Sequence, residues 1–172
     1  MTASNRKNLI LWRHAQAQEI QFAKDDVSRA LTKNGKNQAL VMANWLKPYL
    51  ANNTYIISSP ALRTEQTVKA LNLPYHLHNS LLPEASVDEV LQLIQDFYQS
   101  NISDLLLVGH QPWLGQVAAY FLQIKTAEIG IKKAGVWWLT QSLKQAKKVD
   151  AEDSDEKFKL IAVQTPQFVL QK

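Results

Sequence analysis

Arg13 and His14 stand at the end of an apolar run, residues 9–12, and their side chains suit phosphate chemistry. A short apolar run that stops at polar residues is typical of a buried strand leading into a loop. Arginine presents a fork of donors that matches phosphate oxygens, and histidine can act as a nucleophile near neutral pH. A pair of this kind can also simply cap a sheet, so the functional interpretation depends on what else lies nearby.

Two other predicted strands end in the same way. The run 54–57 leads into a Ser-Ser-Pro turn, with Arg63 one turn into the next helix, and the run 105–108 leads into Gly109 and His110. In open α/β sheets, ligands bind outside the carboxyl ends of the strands. If the three strands are parallel, two arginines and two histidines surround one crevice. The helix starts beside it add backbone N–H groups and positive dipole ends, which favour an anion.

A pocket with two arginines and two histidines suits phosphoryl transfer. One imidazole can attack phosphorus and carry the phosphoryl group, while the other donates hydrogen bonds to its oxygens. Neighbouring arginines lower the pKa of an imidazole and so keep a nucleophile neutral. Two histidines could instead bind a metal, but no third ligand accompanies them at a recognisable spacing, and the arginines would repel a cation. We therefore expect no metal.

The remaining sequence predicts the elements that position these junctions. Strand-like and helix-like segments alternate, which is typical of a layered α/β fold. Caps and apolar periodicity predict four helices: after the N-cap Thr32, after Ser59 with Pro60 in the first position, after the capping box Ser86–Glu89, and from about Pro112 to Leu122. Two further strands, 136–140 and 158–164, predict an antiparallel hairpin that makes the sheet mixed.

Length and composition indicate one ordinary globular domain. The chain has 172 residues, of which 46% are hydrophobic and 20% charged, as is usual for such domains. We expect a single domain over residues 1–172, with a disordered polar N-terminus at 1–8 and a charged loop at 141–157.

Charge and cysteine content exclude several classes of protein. The net charge is +4, but the lysines are scattered rather than gathered in one stripe, so we expect no nucleic-acid partner. No apolar run approaches the ~20 residues that span a bilayer, and we expect no membrane partner. The chain has no cysteine and no apolar signal segment near its start. Disulfides are therefore excluded, and we expect a cytoplasmic protein.

The ordered motifs of this chain resemble those of the histidine phosphatase superfamily, the phosphoglycerate mutase-like proteins, and within it the short SixA-type branch. The segment around Arg13-His14-Ala15 is similar to the superfamily's Arg-His-Gly signature. Three later segments resemble the branch's Leu-Thr-x-x-Gly, Ser-Pro-x-x-Arg-x-x-Gln-Thr and Gly-His-x-Pro motifs: Leu31–Gly35, Ser59–Thr67 and Gly109–Pro112. Each motif alone is weak, but the ordered set is specific and covers most of the chain.

The resemblance implies a fold and a set of roles. The fold would be a three-layer α/β/α sandwich with a mostly parallel sheet and an antiparallel edge. His14 would be the phosphorylated nucleophile, and Arg13, Arg63 and His110 would complete the phosphate pocket without metal or organic cofactor. Members of the SixA-type branch remove phosphate from phosphohistidine on proteins, including the phosphotransfer domains of signalling relays. The lack of large insertions implies an open crevice, which suits a protein substrate.

Two departures from the superfamily pattern leave alternatives open. Ala15 replaces the signature glycine, which is tolerated if the backbone torsions there are ordinary. Larger members of the superfamily use an acidic residue to protonate the leaving group; Glu84 lies in the corresponding region, with Asp88 as the second candidate, and either can instead be a solvated surface residue. A small phosphomonoester as substrate, or phosphate binding without catalysis, are the alternatives to phosphohistidine hydrolysis.

Overall fold

The strands and helices follow the alternation that the sequence predicts. The computed structural model describes residues 6–100, 102–125, 129–142 and 157–169. Within them lie six strands: β1 (Arg6–Arg13), β2 (Tyr55–Ser58), β3 (His76–Leu77), β4 (Asp104–Gly109), β5 (Val136–Ser142) and β6 (Lys159–Gln164). The α-helices are α1 (Lys33–Leu46), α2 (Leu62–Lys69), α3 (Val87–Gln99), α4 (Trp113–Phe121) and α5 (Pro166–Val169).

The strands form one mixed sheet in the order β3-β2-β4-β1-β5-β6. The pairs β1–β4, β2–β4 and β2–β3 are parallel, whereas β5 pairs antiparallel with both β1 and β6. The parallel arrangement of β1, β2 and β4 confirms the condition on which the shared crevice depends. The antiparallel β5–β6 hairpin is confirmed as well.

Two apolar cores lie on opposite faces of this sheet, because successive side chains of a strand point to opposite sides. In β1, Leu9 and Leu11 face the core that α3 and α4 cover, and Ile10 and Trp12 face the core that α1 and α2 cover. All six residues of β4 are buried, as expected for a central strand with helices on both faces. The three-layer α/β/α sandwich is therefore confirmed.

Two boundaries in the expected domain organisation are wrong. Residues 6–8, assigned to a disordered N-terminus, are the first residues of β1, because Arg6 and Lys7 pair with β5 and the Asn8 side chain donates to Asp104 (2.7 Å). Residues 141 and 142, assigned to the charged loop, continue β5 in the same pairing. Residues 1–5 and 143–156 lie outside the described residues.

Local capping was predicted well for two helices and wrongly for one. The Thr32 hydroxyl accepts from the N–H of Gly35 at the start of α1, and Ser86 with Glu89 forms the predicted capping box of α3. In contrast, α2 begins at Leu62 with Ala61 at its N-cap. The Ser59 hydroxyl instead accepts from the N–H of Ala61 two residues later, a local turn that competes with helix capping for serine.

Candidate active site

Two backbone hydrogen bonds join the three strand ends that the sequence singled out. The N–H of His14, just after β1, donates to the carbonyl of Gly109 at the end of β4 (3.0 Å). The N–H of Ser59, just after β2, donates to the carbonyl of Val108, also on β4 (3.0 Å). The central strand thus holds the loops of its two neighbours at one edge of the sheet, and the three junctions meet there as predicted.

A loop before β5 completes this edge from the other side. The N–H of Arg13 donates to the carbonyl of Gly135, and the N–H of Ala134 donates to the carbonyl of His14, each at 3.0 Å. The Arg13 guanidinium donates to the carbonyl of Ile131 at 2.7 Å. Sequence reasoning missed this loop, because its contribution is backbone carbonyls and N–H groups rather than a recognisable side-chain motif.

His14 and His110 lie against each other where the junctions meet. Their ring centres are 5.2 Å apart, and the two residues are only 8% and 2% exposed. The Nδ1 atom of His14 lies 2.8 Å from the carbonyl oxygen of Ala15. Because a carbonyl only accepts, this contact puts the proton of the neutral ring on Nδ1 and leaves a lone pair on Nε2. The Nε2 atom of His110 lies 2.9 Å from the Ser59 hydroxyl.

Burial and neighbouring cations keep both imidazoles neutral. Burial is the main cause that lowers the pKa of His14 to about 3; the hydrogen bond to Ala15 opposes it, and the positive charges of Arg63, Arg13 and Lys133 add to it. Burial, again followed by Arg63, lowers the pKa of His110 to about 2. Both rings are therefore neutral at neutral pH, the state in which an imidazole is a nucleophile.

Arg63 is buried, and its charge is balanced by an acidic residue that the sequence did not single out. Its Nη2 atom donates to Oδ2 of Asp26 at 2.7 Å, and its Nη1 atom donates to the Asp26 backbone carbonyl. A buried guanidinium is costly unless it is paired, so Asp26 accounts for the stable placement of Arg63. Asp26 lies 37 residues before Arg63 in a loop, and no sequence spacing signals that contact.

The threonine and glycine of the quoted motifs have structural roles around His14. The Thr67 hydroxyl accepts from the N–H of Ala15 at 3.1 Å and donates to the carbonyl of Arg63 at 2.6 Å, so it links the loop after β1 to α2. Thr67 thus holds the backbone next to His14 in place.

The backbone of Gln16 passes so close to α1 that a Cβ on Gly35 would come within 1.9 Å of the Gln16 oxygen. Gly35 thus leaves room for the backbone of Gln16 beside α1.

Ala15 and the two acidic candidates have ordinary surroundings. The backbone φ of Ala15 is not in the positive range, so alanine fits without strain. Glu84 is exposed on a turn whose Leu82 carbonyl accepts from Trp113 Nε1 at 3.2 Å. Asp88 is exposed in the first turn of α3 and lines a groove between α3 and α4 that includes none of the four predicted site residues.

The part of the chain that the structure describes offers neither a cluster of metal ligands nor a helix that could span a membrane. There, no group of three or more histidine, cysteine, aspartate or glutamate side chains is placed so that it could hold a metal ion. None of the described helices is both long enough and apolar enough to cross a bilayer.

Comparison with known proteins identifies the class to which this site belongs. Residues 9–86 match the family model of the histidine phosphatase superfamily (branch 1). Phosphohistidine phosphatase SixA of Escherichia coli (strain K12) is 32% identical over 117 residues, which are 64% of this chain and 71% of the relative. A SixA homolog of Haemophilus influenzae is 25% identical over 125 residues, covering 65% of this chain and 75% of the relative.

Comparison with solved structures agrees with these sequence relationships. The structure of the protein histidine phosphatase SixA complexed with tungstate superimposes with a TM-score of 0.75 at 23% identity, over 94% of this chain and 99% of the other. The fold is thus that of a phosphoglycerate mutase-like α/β protein. The chain belongs to the histidine phosphatase superfamily, and within it the chain is similar to the SixA-type branch. It is a phosphatase.

Proposed function

We propose that this phosphatase removes phosphate from phosphohistidine on a protein and that His14 is its nucleophile. The single observation that supports this most strongly is the state of His14. It is a neutral imidazole with its lone pair on Nε2, next to His110 and in the field of two arginines. Phosphate binding alone would not require a neutral nucleophile, which argues against a noncatalytic role.

The reaction would proceed in two displacements. Nε2 of His14 attacks phosphorus, a bond from this nitrogen to phosphorus forms, and the bond from the substrate histidine to phosphorus breaks. The second nitrogen of the substrate ring carries a proton. The departing imidazole therefore takes the electron pair of the broken bond and leaves as a neutral ring. A water molecule then attacks the phosphorus on His14, and the second displacement releases inorganic phosphate and restores the neutral ring.

Arg13, Arg63 and His110 would stabilise the charge on the transferring group. Phosphoryl transfer depends mainly on positioning and on electrostatic stabilisation of the phosphoryl oxygens. Two buried nitrogens, Nε of Arg63 and Nδ1 of His110, have no hydrogen-bond partner among the described residues. When the Ser59 hydroxyl donates to Nε2 of His110, Nδ1 carries the ring proton and is a donor. Both nitrogens are then suited to phosphoryl oxygens.

The substrate class is proposed from the relatives and from the leaving group. The relative that is 32% identical is named a phosphohistidine phosphatase. The departing imidazole of phosphohistidine has a second ring nitrogen that can take up a proton, so its departure requires little general-acid help. Glu84 is exposed, and a substrate of that kind does not depend on it as a general acid. A histidine phosphotransfer domain is the protein substrate we propose.

The test follows the phosphate that the substrate loses and the phosphate that is bound covalently to the enzyme. A histidine phosphotransfer domain phosphorylated on histidine is mixed with the enzyme, phosphate release is measured, and quenched samples are analysed for acid-labile phosphate on His14. We expect release by the unaltered protein and its loss in His14→Ala. The matched control is His76→Ala, which removes an exposed histidine on β3.

Three outcomes would contradict the proposal. Unaltered turnover by His14→Ala would exclude the mechanism. Faster turnover of simple phosphate esters than of the phosphoprotein, with strong dependence on Glu84, would favour the small phosphomonoester instead. Tight phosphate binding without hydrolysis of any of these substrates would indicate a binding domain.

A further inference from the structure

We propose that Asp26 is a positioning residue of the phosphate site, which holds the Arg63 guanidinium in the orientation that receives a phosphoryl oxygen. This inference rests on the proposed function, because it takes Arg63 as a phosphate ligand. Asp26 lies in the loop between β1 and α1, far in sequence from Arg63, and belongs to none of the motifs that suggested the site.

The contacts between Asp26 and Arg63 use one side of the guanidinium. Nη2 donates to the Asp26 carboxylate and Nη1 to its backbone carbonyl. A guanidinium has five N–H donors in a rigid plane, so two bonds to a single residue fix its rotation as well as its position. The Nε–H, which is buried and has no partner among the described residues, then stays directed away from Asp26.

Asp26 is itself held by a second arginine. Its other oxygen, Oδ1, accepts from Nη1 of Arg29 at 2.8 Å, and Nε of Arg29 donates to the backbone carbonyl of Gln18 at 2.7 Å. The N–H of Leu62 donates to the carbonyl of Val27 at 2.9 Å, which ties the same loop to the start of α2. Asp26 is therefore a fixed support for Arg63 even though about half of its side chain (47%) is exposed.

The charge of Asp26 distinguishes a positioning role from a purely electrostatic one, because the two roles predict opposite changes in phosphate affinity when the charge is removed. Partial burial acts to raise the pKa of Asp26, but the hydrogen bonds from Arg29 and Arg63 and their positive charges outweigh it. The pKa lies below its ordinary value, so the carboxylate is ionised at neutral pH. A negative charge beside an anion site repels phosphate. Its removal should therefore tighten phosphate binding unless Asp26 is needed to orient Arg63.

The experiment measures the affinity for inorganic phosphate and for tungstate by calorimetry, and kcat/KM on the phosphoprotein. Asp26→Asn keeps the size of the side chain and removes the charge. We expect phosphate binding about tenfold weaker, since hydrogen bonds between charged groups are among the stronger ones, with a parallel fall in kcat/KM. Unchanged or tighter phosphate binding would overturn the proposal.

Asp25→Asn is the matched control. Asp25 is the adjacent residue in the same loop, and the side-chain contacts it makes are with Ser28, whose N–H donates to it at 2.8 Å. An asparagine can still accept that bond. The variant removes one negative charge from the same loop without touching Arg63, so we expect phosphate binding equal to or slightly tighter than in the unaltered protein. A loss as large as that of Asp26→Asn would mean that charge in the loop, not the contact with Arg63, is responsible.

Two further variants test whether Asp26 acts through Arg63. In an Arg63→Ala background, Asp26→Asn should cause no additional loss of phosphate affinity, and a full further loss would contradict the proposal. Arg29→Gln removes the outer support alone and should weaken binding in the same direction by a smaller factor. This variant keeps the Asp26 contact intact, so it remains informative if Asp26→Asn does not fold.

The result is also distinguishable from a failure of the proposed function. Phosphate binding does not require turnover, so it can be read even if the phosphoprotein is not hydrolysed. If the unaltered protein bound neither phosphate nor tungstate, the site assignment itself would be wrong. If it bound them and Asp26→Asn bound them equally well, only the role of Asp26 would be wrong.

Discussion

The carboxyl ends of β1, β2 and β4 lead into all four predicted site residues, whereas β5 and β6 lead into none of them. The central strand β4 is buried along its whole length, and β1, β2 and β4 stop at junctions that turn into loops and helices. In the antiparallel hairpin, three residues of β6 remain exposed apolar side chains: Leu160, Ile161 and Val163. Hairpin strands return directly along the sheet, so their ends do not gather on one edge as the ends of parallel strands do.

The antiparallel half still contributes to the site through the loop that precedes it. That loop binds the main chain on both sides of the Arg13–His14 peptide and receives the Arg13 guanidinium. The proposed site residues are therefore concentrated at the parallel strand ends, while the antiparallel side supplies backbone contacts that hold them.

The largest difference should be in stability between a central and an edge strand. Leu107 on β4 is fully buried and Val163 on β6 is 48% exposed. Leu107→Ala should lower the free energy of unfolding by about 2–5 kcal/mol, because it leaves a cavity, and Val163→Ala should change it by less than about 0.5 kcal/mol. Urea denaturation measures both values. Similar losses would mean that the two halves contribute equally to the core.

Substitutions in the parallel and in the antiparallel part of the sheet should also differ strongly in their effect on activity. His110→Ala removes a buried donor from the proposed phosphate pocket and should lower kcat/KM on the phosphoprotein by about 100-fold or more. Ile161→Ala, an exposed substitution on β6, is the matched control and should leave kcat/KM unchanged. Initial rates of phosphate release measure the effect, and a comparable loss in the control would place part of the site on the antiparallel side.

The two buried histidines should make stability depend on pH. Burial and nearby arginines lower the folded-state pKa values of His14 and His110 to about 3 and about 2, against 6.5 for an ordinary histidine. Below about pH 6.5 the unfolded chain takes up protons that the folded one does not. The free energy of unfolding should therefore fall as pH drops, with a contribution of up to about 1.4 kcal/mol per pH unit from each ring.

Urea denaturation between pH 7 and pH 5 tests this dependence. His14→Gln and His110→Gln should each reduce the slope against pH, and the double variant should reduce it further. If the slope in all three variants equals that of the unaltered protein, the two rings are not held neutral by the fold.

The smallest effect concerns the contact between the two halves away from the site. The Thr140 hydroxyl on β5 donates to the carbonyl of Lys7 on β1 at 3.3 Å. Thr140→Val keeps the shape and removes this bond, so it should cost about 0.5–1 kcal/mol of stability with no change in kcat/KM. Thermal denaturation and initial rates measure the two quantities. A clear loss of activity would show that register at the start of β1 affects its carboxyl end.

The sequence by itself determined the class of fold and the four candidate site residues. Apolar runs of strand length, helix caps and the ordered motifs depend on residues close together in the chain, and local sterics and periodicity decide them. That is why the β1, β2 and β4 junctions and the β5–β6 hairpin were predicted with boundaries off by at most three residues. The cap predicted at Ser59 is wrong although it too is local, because a helix cap and a turn to the N–H of Ala61 compete for the same hydroxyl.

Only the tertiary structure decided the contacts that make these residues into a site. The pairing of Asp26 with Arg63, the Ser59 contact to His110 and the carbonyl that receives Arg13 join residues 37, 51 and 118 positions apart. The protonation state of His14 also depends on its burial and on the charges of residues distant in sequence, Arg63 and Lys133. Such contacts leave no local pattern, since they depend on how separate elements pack rather than on their spacing along the sequence.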